Sequence, residues 1–175
     1  MEMVRTLNGP DGFDPEIGRW YAGLESVRDM LVRSVEDLST EALAQRAFAG
    51  ANSIGTLLIH IAEAELFWIQ EVLQGEPLTG QQREEYRFDL FGRPDAPQVE
   101  ARDFGFFRKR LETVRSRTRT ALRDLSDSDL VTERRWTDGE GGERVFSVSW
   151  ILHHVLEHEA HHRGQIALLK SALGI

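Results

Sequence analysis

Residues 149–170 read SWILHHVLEHEAHHRGQIALLK. Apolar side chains at Ile151, Leu152, Val155, Ile166, Leu169 and Leu173 recur at three- and four-residue steps, the mark of a helix with one buried face. The spacing predicts a single helix over Ser149–Leu173. Five of the six histidines of the chain fall within it: His153, His154, His158, His161 and His162. Imidazole is the commonest protein ligand for zinc, nickel and iron, so their order on the helix matters. His158 and His162 are one turn apart and share a face, as do His154 and His158. His154 and His162 are about 12 Å apart along the axis, at about 1.5 Å per residue. With metal–nitrogen bonds near ~2.1 Å, that separation disfavours a shared ion. His158 belongs to both pairs and is the strongest single ligand candidate.

His158-Glu159-Ala160-His161-His162 also fits His-Glu-x-x-His, the zinc motif of many metalloproteases. Such sites need a third ligand. Downstream of His162 the chain reads RGQIALLKSALGI, with no Asp, Glu, His or Cys, and Gln165 stands where the longer metzincin pattern needs Gly. The third ligand must come from upstream, and His60 is the natural candidate, in the apolar run Ser53–Leu73. Two histidines on one helix and one from a facing helix make an open three-histidine site with a position left for water or substrate. A histidine in an apolar helix is ordinarily a satisfied core residue, and a histidine-rich surface helix can be incidental or pH-responsive. The one-turn pair together with an isolated partner favours a metal site over both. His153 and His161 read as solvent-side or supporting residues.

With 175 residues the chain suits one domain spanning 1–175 with a sizeable core. A net charge of −8 argues against a general nucleic-acid partner. There is no cysteine, which excludes disulfides, thiolate ligands and a cysteine nucleophile, and fits a cytoplasmic setting. The N-terminal MEMVRTLNGPDGFDPEIG lacks the basic start and apolar run of a signal peptide. No apolar stretch reaches the ~18 residues of a membrane span.

Four long helical patterns dominate, so the fold class is all-α, a four-helix bundle. The first runs from Pro15 to Asp37, opened by Asp14-Pro15, with a stripe Ile17, Trp20/Tyr21, Leu24, Val27, Leu31, Val35 and Leu38. The second runs from Ser53 to Gly75 and buries Ile54, Leu57, Leu58, Ile61, Trp68, Ile69, Val72 and Leu73. The third runs from Gln98 to Leu125, with Phe104, Phe107, Leu111, Val114, Thr118, Ala121 and Leu125. The fourth is Ser149–Leu173. Residues 75–97 form a long connection that lets the second and third helices run parallel or shapes the site mouth. Trp136–Phe146, with Asp138-Gly139 and Gly141-Gly142, reads as a hairpin or turn-rich loop. A faint repeat relates Leu38-Ser39 to Leu125-Ser126, and Ser53 with His60 to Ser147 with His154. The bases of the third helix, Arg102, Arg108, Lys109, Arg110, Arg115, Arg117, Arg119 and Arg123, read as a solvated face, or as a positive rim for an anionic substrate. Gly164, costly inside a helix, suggests a close helix or subunit approach. Glu159 reads first as a solvated glutamate, and second as a group that orients a ligand or acts as a base.

The stretches NSIGTLLIHIAEAELFWI at 52–69 and SWILHHVLEHEAHHRGQIALLK at 149–170 resemble the DinB-like (DinB/YfiT-like) superfamily of bacterial four-helix proteins. The likeness spans nearly the whole chain. It implies an up-down-down-up bundle, frequent homodimers and one divalent metal ion, zinc or nickel, on His60, His158 and His162. His154 is a common extra rather than an expected ligand. It also implies chemistry with low-molecular-weight thiols: some members are bacillithiol-dependent S-transferases, and more distant ones are mycothiol-dependent isomerases. A metal-dependent thiol S-transferase acting on a small-molecule substrate is therefore the leading reading. A metal-dependent hydrolase and a non-catalytic metal-binding stress-response protein are the alternatives. A ferritin-like di-iron centre fits poorly, because Glu159-x-x-His162 is the one such motif present.

Overall fold

A computed structural model describes residues 6–87 and 98–175. Asp14 precedes α1 (Pro15–Val35), whose proline sits in the first turn, where a missing N–H costs nothing. Ser39 caps a short α2 (Thr40–Ala44). Ser53 caps α3 (Ile54–Leu66), which passes without a break into a π-helical segment, Phe67–Leu73. A capping box at Thr79 and Gln82 opens α4 (Gly80–Glu85). Asp103 caps α5 (Phe104–Arg123), and a 3-10 turn follows at Asp127–Val131. Strands β1 (Glu133–Thr137) and β2 (Glu143–Ser147) pair antiparallel, Glu133 opposite Ser147. Ser147 then caps α6 (Val148–Leu173), which ends at Gly174 in the left-handed conformation that glycine adopts without strain.

Side-chain pairings fix the direction of each helix. Glu65 lies level with Arg115 and Thr118 of α5, while Gly55 at the start of α3 packs on Phe107 at the start of α5, so α3 and α5 run parallel. On α1 and α6, Gly23 meets Leu156, Arg28 meets Glu159, and Ser34 meets Lys170, so these two are parallel as well. The pairs Arg115–Glu25 and Arg108–Glu36 set α5 antiparallel to α1. The bundle is up-down-down-up, with α3 between α5 and α6. The parallel step from α3 to α5 is made by the long connection. Gln98 and Val99 bring it back to the start of α3, where the Ser53 N–H donates to Gln98 Oε1 and the Val99 N–H donates to Thr56 Oγ1. The third-helix start expected near 98 is thus corrected: residues 98–103 are not helical, because their polar groups tie them to α3, and the helix begins at its aspartate cap. Residues 88–97 of the connection lie outside the described residues.

Most apolar stripes are buried as their period predicts, including Ile17, Leu24, Leu31, Ile54, Leu58, Phe107, Leu111 and Leu152. The charged residues bring two corrections. Arg115 is not on a solvated face, and Glu159 is not a solvated glutamate: their side chains are 6% and 2% exposed. They join Arg28 and Glu65 in the middle of the bundle, so that each long helix supplies one charge. Arg28 donates through Nε to Glu159 Oε1 (2.6 Å) and through Nη2 to Glu65 Oε2 (2.7 Å). Arg115 donates through Nε to Glu65 Oε1 (2.7 Å) and through Nη2 to Glu159 Oε2 (2.9 Å). The Leu111 carbonyl and the Thr118 hydroxyl complete the set at 2.8 and 2.6 Å. Among the described residues Gly164 makes no close approach: a methyl group there would meet none of them.

Burial pushes the Glu65 carboxyl up, but the Arg115 and Arg28 guanidiniums outweigh it and hold it at about 2, below its ordinary 4.5. Removing one member of the network strands a buried charge. Arg115→Ala should cost about 3–5 kcal/mol in chemical denaturation, and a loss below about 1 kcal/mol would contradict the network's role. Because the folded carboxyl of Glu65 is depressed, its contribution is complete above pH 4.5 and is lost as the pH falls through about 2. The stability gap between wild type and Glu65→Gln should therefore be widest near neutrality and close toward pH 2. A gap that stays constant over that range would argue against the pairing.

Candidate metal centre

The groove between α3 and α6 holds the histidines. On α3, His60 falls on the side turned to α6, two turns after the Ser53 cap. On α6, His158 and His162 are one turn apart and meet it, since the two helices are antiparallel. The ring nitrogens converge: His158 Nε2 lies 3.1 Å from His60 Nε2 and 3.1 Å from His162 Nε2. One ligand nitrogen from each of the three falls within 4.8 Å of the others. A single ion ~2.1 Å from each nitrogen would set them about 3.0–3.4 Å apart.

The outer nitrogens are held by neighbours on the same helices. His60 Nδ1 meets Glu63 Oε2 at 2.7 Å, and His162 Nδ1 meets Gln165 Oε1 at 2.8 Å. Both oxygens accept, so both Nδ1 atoms carry the proton, and in the neutral ring each Nε2 presents a lone pair inward. Gln165 is itself oriented by donating Nε2 to His161 Nε2 at 2.9 Å. His158 has at most one Nε2 proton to offer two such neighbours. One contact must therefore set lone pair against lone pair, unless a cation sits among the three. The donor set fits a divalent metal on this ground. Burial, then the neighbouring His162 and His60 rings, push His158 down to about 3. Burial also lowers His162 to about 4, against the Gln165 bond that raises it. Both rings are neutral ligands at physiological pH.

The other histidines border the trio without turning a nitrogen into it. His153 and His161 are exposed. His154 shares the α6 face but stacks flat on Trp150, with ring centroids 5.0 Å apart, and meets the edge of Trp68 at 4.6 Å. Trp68 also touches Phe146 and Trp150, so an aromatic wall runs from the hairpin to His158. The π-helical turn carries Phe67 and Trp68 into this wall. A polar cleft of about 450 Å³ lies beside Glu63, lined by Phe67, Glu71, Arg83, Trp136 and Asp138. Glu159 faces away from the trio, its oxygens occupied by Arg28 and Arg115. The positive rim expected from α5 is not at this groove: Arg108, Arg115 and Arg119 line a separate cleft with Tyr21 and Glu25 on the α1 side. Glu63 and Gln165 were not singled out by sequence reasoning, although each sits three residues after a candidate ligand, where a side chain reaches back along the helix.

The mycothiol-S-transferase family model matches residues 21–174, and the chain belongs to that family, within the DinB-like superfamily. No curated protein matches the sequence. Among solved structures, a conserved protein from Enterococcus faecalis is similar with a TM-score of 0.69 and 14% identity, covering 89% of this chain and 96% of its own. YfiT from Bacillus subtilis, described as a probable metal-dependent hydrolase with an unusual four-helix bundle topology, has a TM-score of 0.61 and 17% identity, over 99% of this chain and 94% of that one. A DinB-like protein from Bacillus cereus has a TM-score of 0.51 and 22% identity, over 89% and 88%. At these identities the likeness is one of fold. No helix among the described residues is long and apolar enough to cross a membrane.

His158→Ala should lose zinc or nickel in elemental analysis, while His153→Ala keeps it. Gln165→Leu removes the acceptor that orients His162 and should weaken affinity for added zinc about 10–100-fold in competition with a chelator. Equal metal loss in the His153 and His158 variants would contradict the assignment.

Proposed function

We propose that this protein is a divalent-metal-dependent transferase that joins a low-molecular-weight thiol to a small electrophile, with His60, His158 and His162 holding the metal. The observation that carries this reading is the convergence of three imidazole nitrogens in a chain with no cysteine. A divalent cation on such a set keeps its full charge and lowers the pKa of a thiol or water brought to it. The nucleophilic sulfur must arrive on a cosubstrate. Membership of the mycothiol-S-transferase family favours a mycothiol-type thiol over the bacillithiol first suggested by the superfamily resemblance. Zinc or nickel suits an all-imidazole set.

In the reaction the thiol loses its proton, the sulfur attacks the electrophilic carbon, a carbon–sulfur bond forms, and the leaving group departs with its electron pair. The chain's own residues contribute position. Glu63 and Gln165 fix the rings of His60 and His162 before the reactants arrive. The aromatic wall of Trp68, His154 and Trp150 keeps one side of the groove poor in water. Glu159 is committed to Arg28 and Arg115, so proton transfer at the site falls to solvent or to the reactants.

A hydrolase reading uses the same trio with water as the nucleophile, and is favoured by the described character of YfiT. A rate assay separates the two. Metal-loaded protein should accelerate conjugation of a haloacetamide to mycothiol, and His162→Ala should reduce the rate by at least about 100-fold. Ester or amide hydrolysis at comparable rates without any thiol would establish the hydrolase instead. No acceleration in either assay would point to a metal-binding protein without turnover.

A further inference from the structure

The cleft between α1 and α5 lies across the bundle from the histidines and encloses about 410 Å³. Helical spacing orders its walls. Tyr21, Glu25 and Asp29 follow one another by single turns on α1, and Glu112, Arg115 and Arg119 line the facing side of α5. The two helices are antiparallel and Arg115 donates to Glu25 at 3.0 Å. Tyr21 therefore falls beside Arg119 at one end, and Asp29 beside Glu112 toward the other. Tyr21 is the odd member. It is 5% exposed and stacks on Phe13, ring centroids 5.0 Å apart, yet its hydroxyl has no hydrogen-bond partner among the described residues. A buried tyrosine ordinarily finds one, and phenylalanine would fill the same core position. Burial, then the Glu25 carboxylate, raise the phenol above its ordinary 10, so the hydroxyl keeps its proton and can donate it. Arg119 is exposed and likewise forms no hydrogen bond or ion pair among the described residues. Tyr21, Glu25, Asp29 and Arg119 also border an adjoining hollow at Leu7 and Pro10, so the unpartnered donors open on one continuous depression.

We infer that this cleft binds a small elongated zwitterion, with a carboxylate at one end and an ammonium group at the other. The Tyr21 hydroxyl and the Arg119 guanidinium donate to the carboxylate, and Asp29 and Glu112 hold the ammonium. The lining charges set this class. Arg28 and Arg115, at the floor, are matched by Glu65 and Glu159. What remains is two cations, Arg108 and Arg119, against three carboxylates, Glu25, Asp29 and Glu112. A simple anion is repelled by the three carboxylates, and a simple cation leaves the Tyr21 end unanswered. The ion pairs already present at the acidic end are loose: Arg33 lies 4.0 Å from Asp29, and Arg108 3.9 Å from Glu112. Arg119 and Glu112 are seven residues apart, about 10 Å along the axis at ~1.5 Å per residue, and their side chains reach inward to close on a shorter chain. The site is apart from the metal reaction: no histidine lines it, and the buried charges stand between it and the trio.

The test titrates the full-length, zinc-loaded protein with 6-aminohexanoate, followed by amide NMR shifts. The shifts should saturate and centre on residues 21–32 and 108–119. Tyr21→Phe keeps the ring and removes one oxygen. It and Arg119→Gln should each raise Kd about tenfold, while melting temperature and zinc content stay as in wild type. Arg144→Gln, on the hairpin, should leave Kd unchanged. Hexanoate and hexylamine each carry one of the two charges and should bind at least about tenfold more weakly than the zwitterion. No saturable shifts with 6-aminohexanoate, or shifts centred elsewhere, would overturn the site. Equal affinity for hexanoate or hexylamine would overturn the ligand class. An unchanged Kd in Tyr21→Phe would reduce the hydroxyl to a packing group and remove the assignment with it. If sedimentation shows a wild-type dimer that Asp29→Arg dissociates, with no probe binding in either form, the face is a contact between copies of the chain and the inference fails.

Discussion

Two arginines and two glutamates, one from each long helix, meet in the middle of the bundle, and the placement of everything else follows from them. Each guanidinium of Arg28 and Arg115 reaches both carboxylates of Glu65 and Glu159. Such a network gives no guaranteed gain over apolar packing, because burying four charges costs as much as their attraction returns. What it gives is uniqueness. An apolar stripe tolerates a helix rotated by a few tens of degrees or shifted along its axis. A planar guanidinium that must reach two carboxylates tolerates neither. Glu159 is the residue after His158, and consecutive helical residues point about 100° apart. Turning Glu159 to the bundle axis therefore turns His158 and His162 into the α3 groove. Glu65 does the same for His60 on α3.

The helices and the histidine trio were legible in the sequence because each leaves a periodic mark, whereas the up-down-down-up order was implied by the family resemblance alone. Stripes such as Leu24, Leu31 and Val35 announce a buried face, and His158 with His162 announces a shared one. The charged centre left a weaker mark. Arg115 stands among six other bases in its helix, and by composition it belongs with them. By position it does not, since it falls four residues after Leu111 and three before Thr118, on the buried face. Arg28 sits in the same way between Leu24 and Leu31. A charge on the apolar stripe of every long helix, two of each sign, was the available signal.

Other features had no local signature. The run Phe67-Trp68-Ile69 continues the apolar period of α3, and nothing in it announces a π-helical turn. That turn is favoured by what the rings pack on, namely Trp136, Phe146 and Trp150, which are distant in sequence. The internal repeat matches the two serine caps but does not extend to the histidine trio. Ser53 and Ser147 do cap α3 and α6. The residue at the place of His60 in the second half is His154, which packs on tryptophan, while the neighbouring turns of α6 reach His60.

The order in which the chain is made gives the parallel pairing of α1 with α6 a consequence for biosynthesis. Domains tend to gain structure from the N-terminus as the polypeptide leaves the ribosome. With α1, α3 and α5 emerged, Arg28 and Arg115 have Glu65 as the one buried carboxylate between them, and the interior carries an excess positive charge. Only α6, the last helix, brings Glu159 to neutralise it, and the same helix brings His158 and His162. A truncated chain therefore has neither a neutral interior nor two of its three histidine donors. A nascent fragment is held open by its own charge and cannot capture a metal ion on this trio before translation is complete.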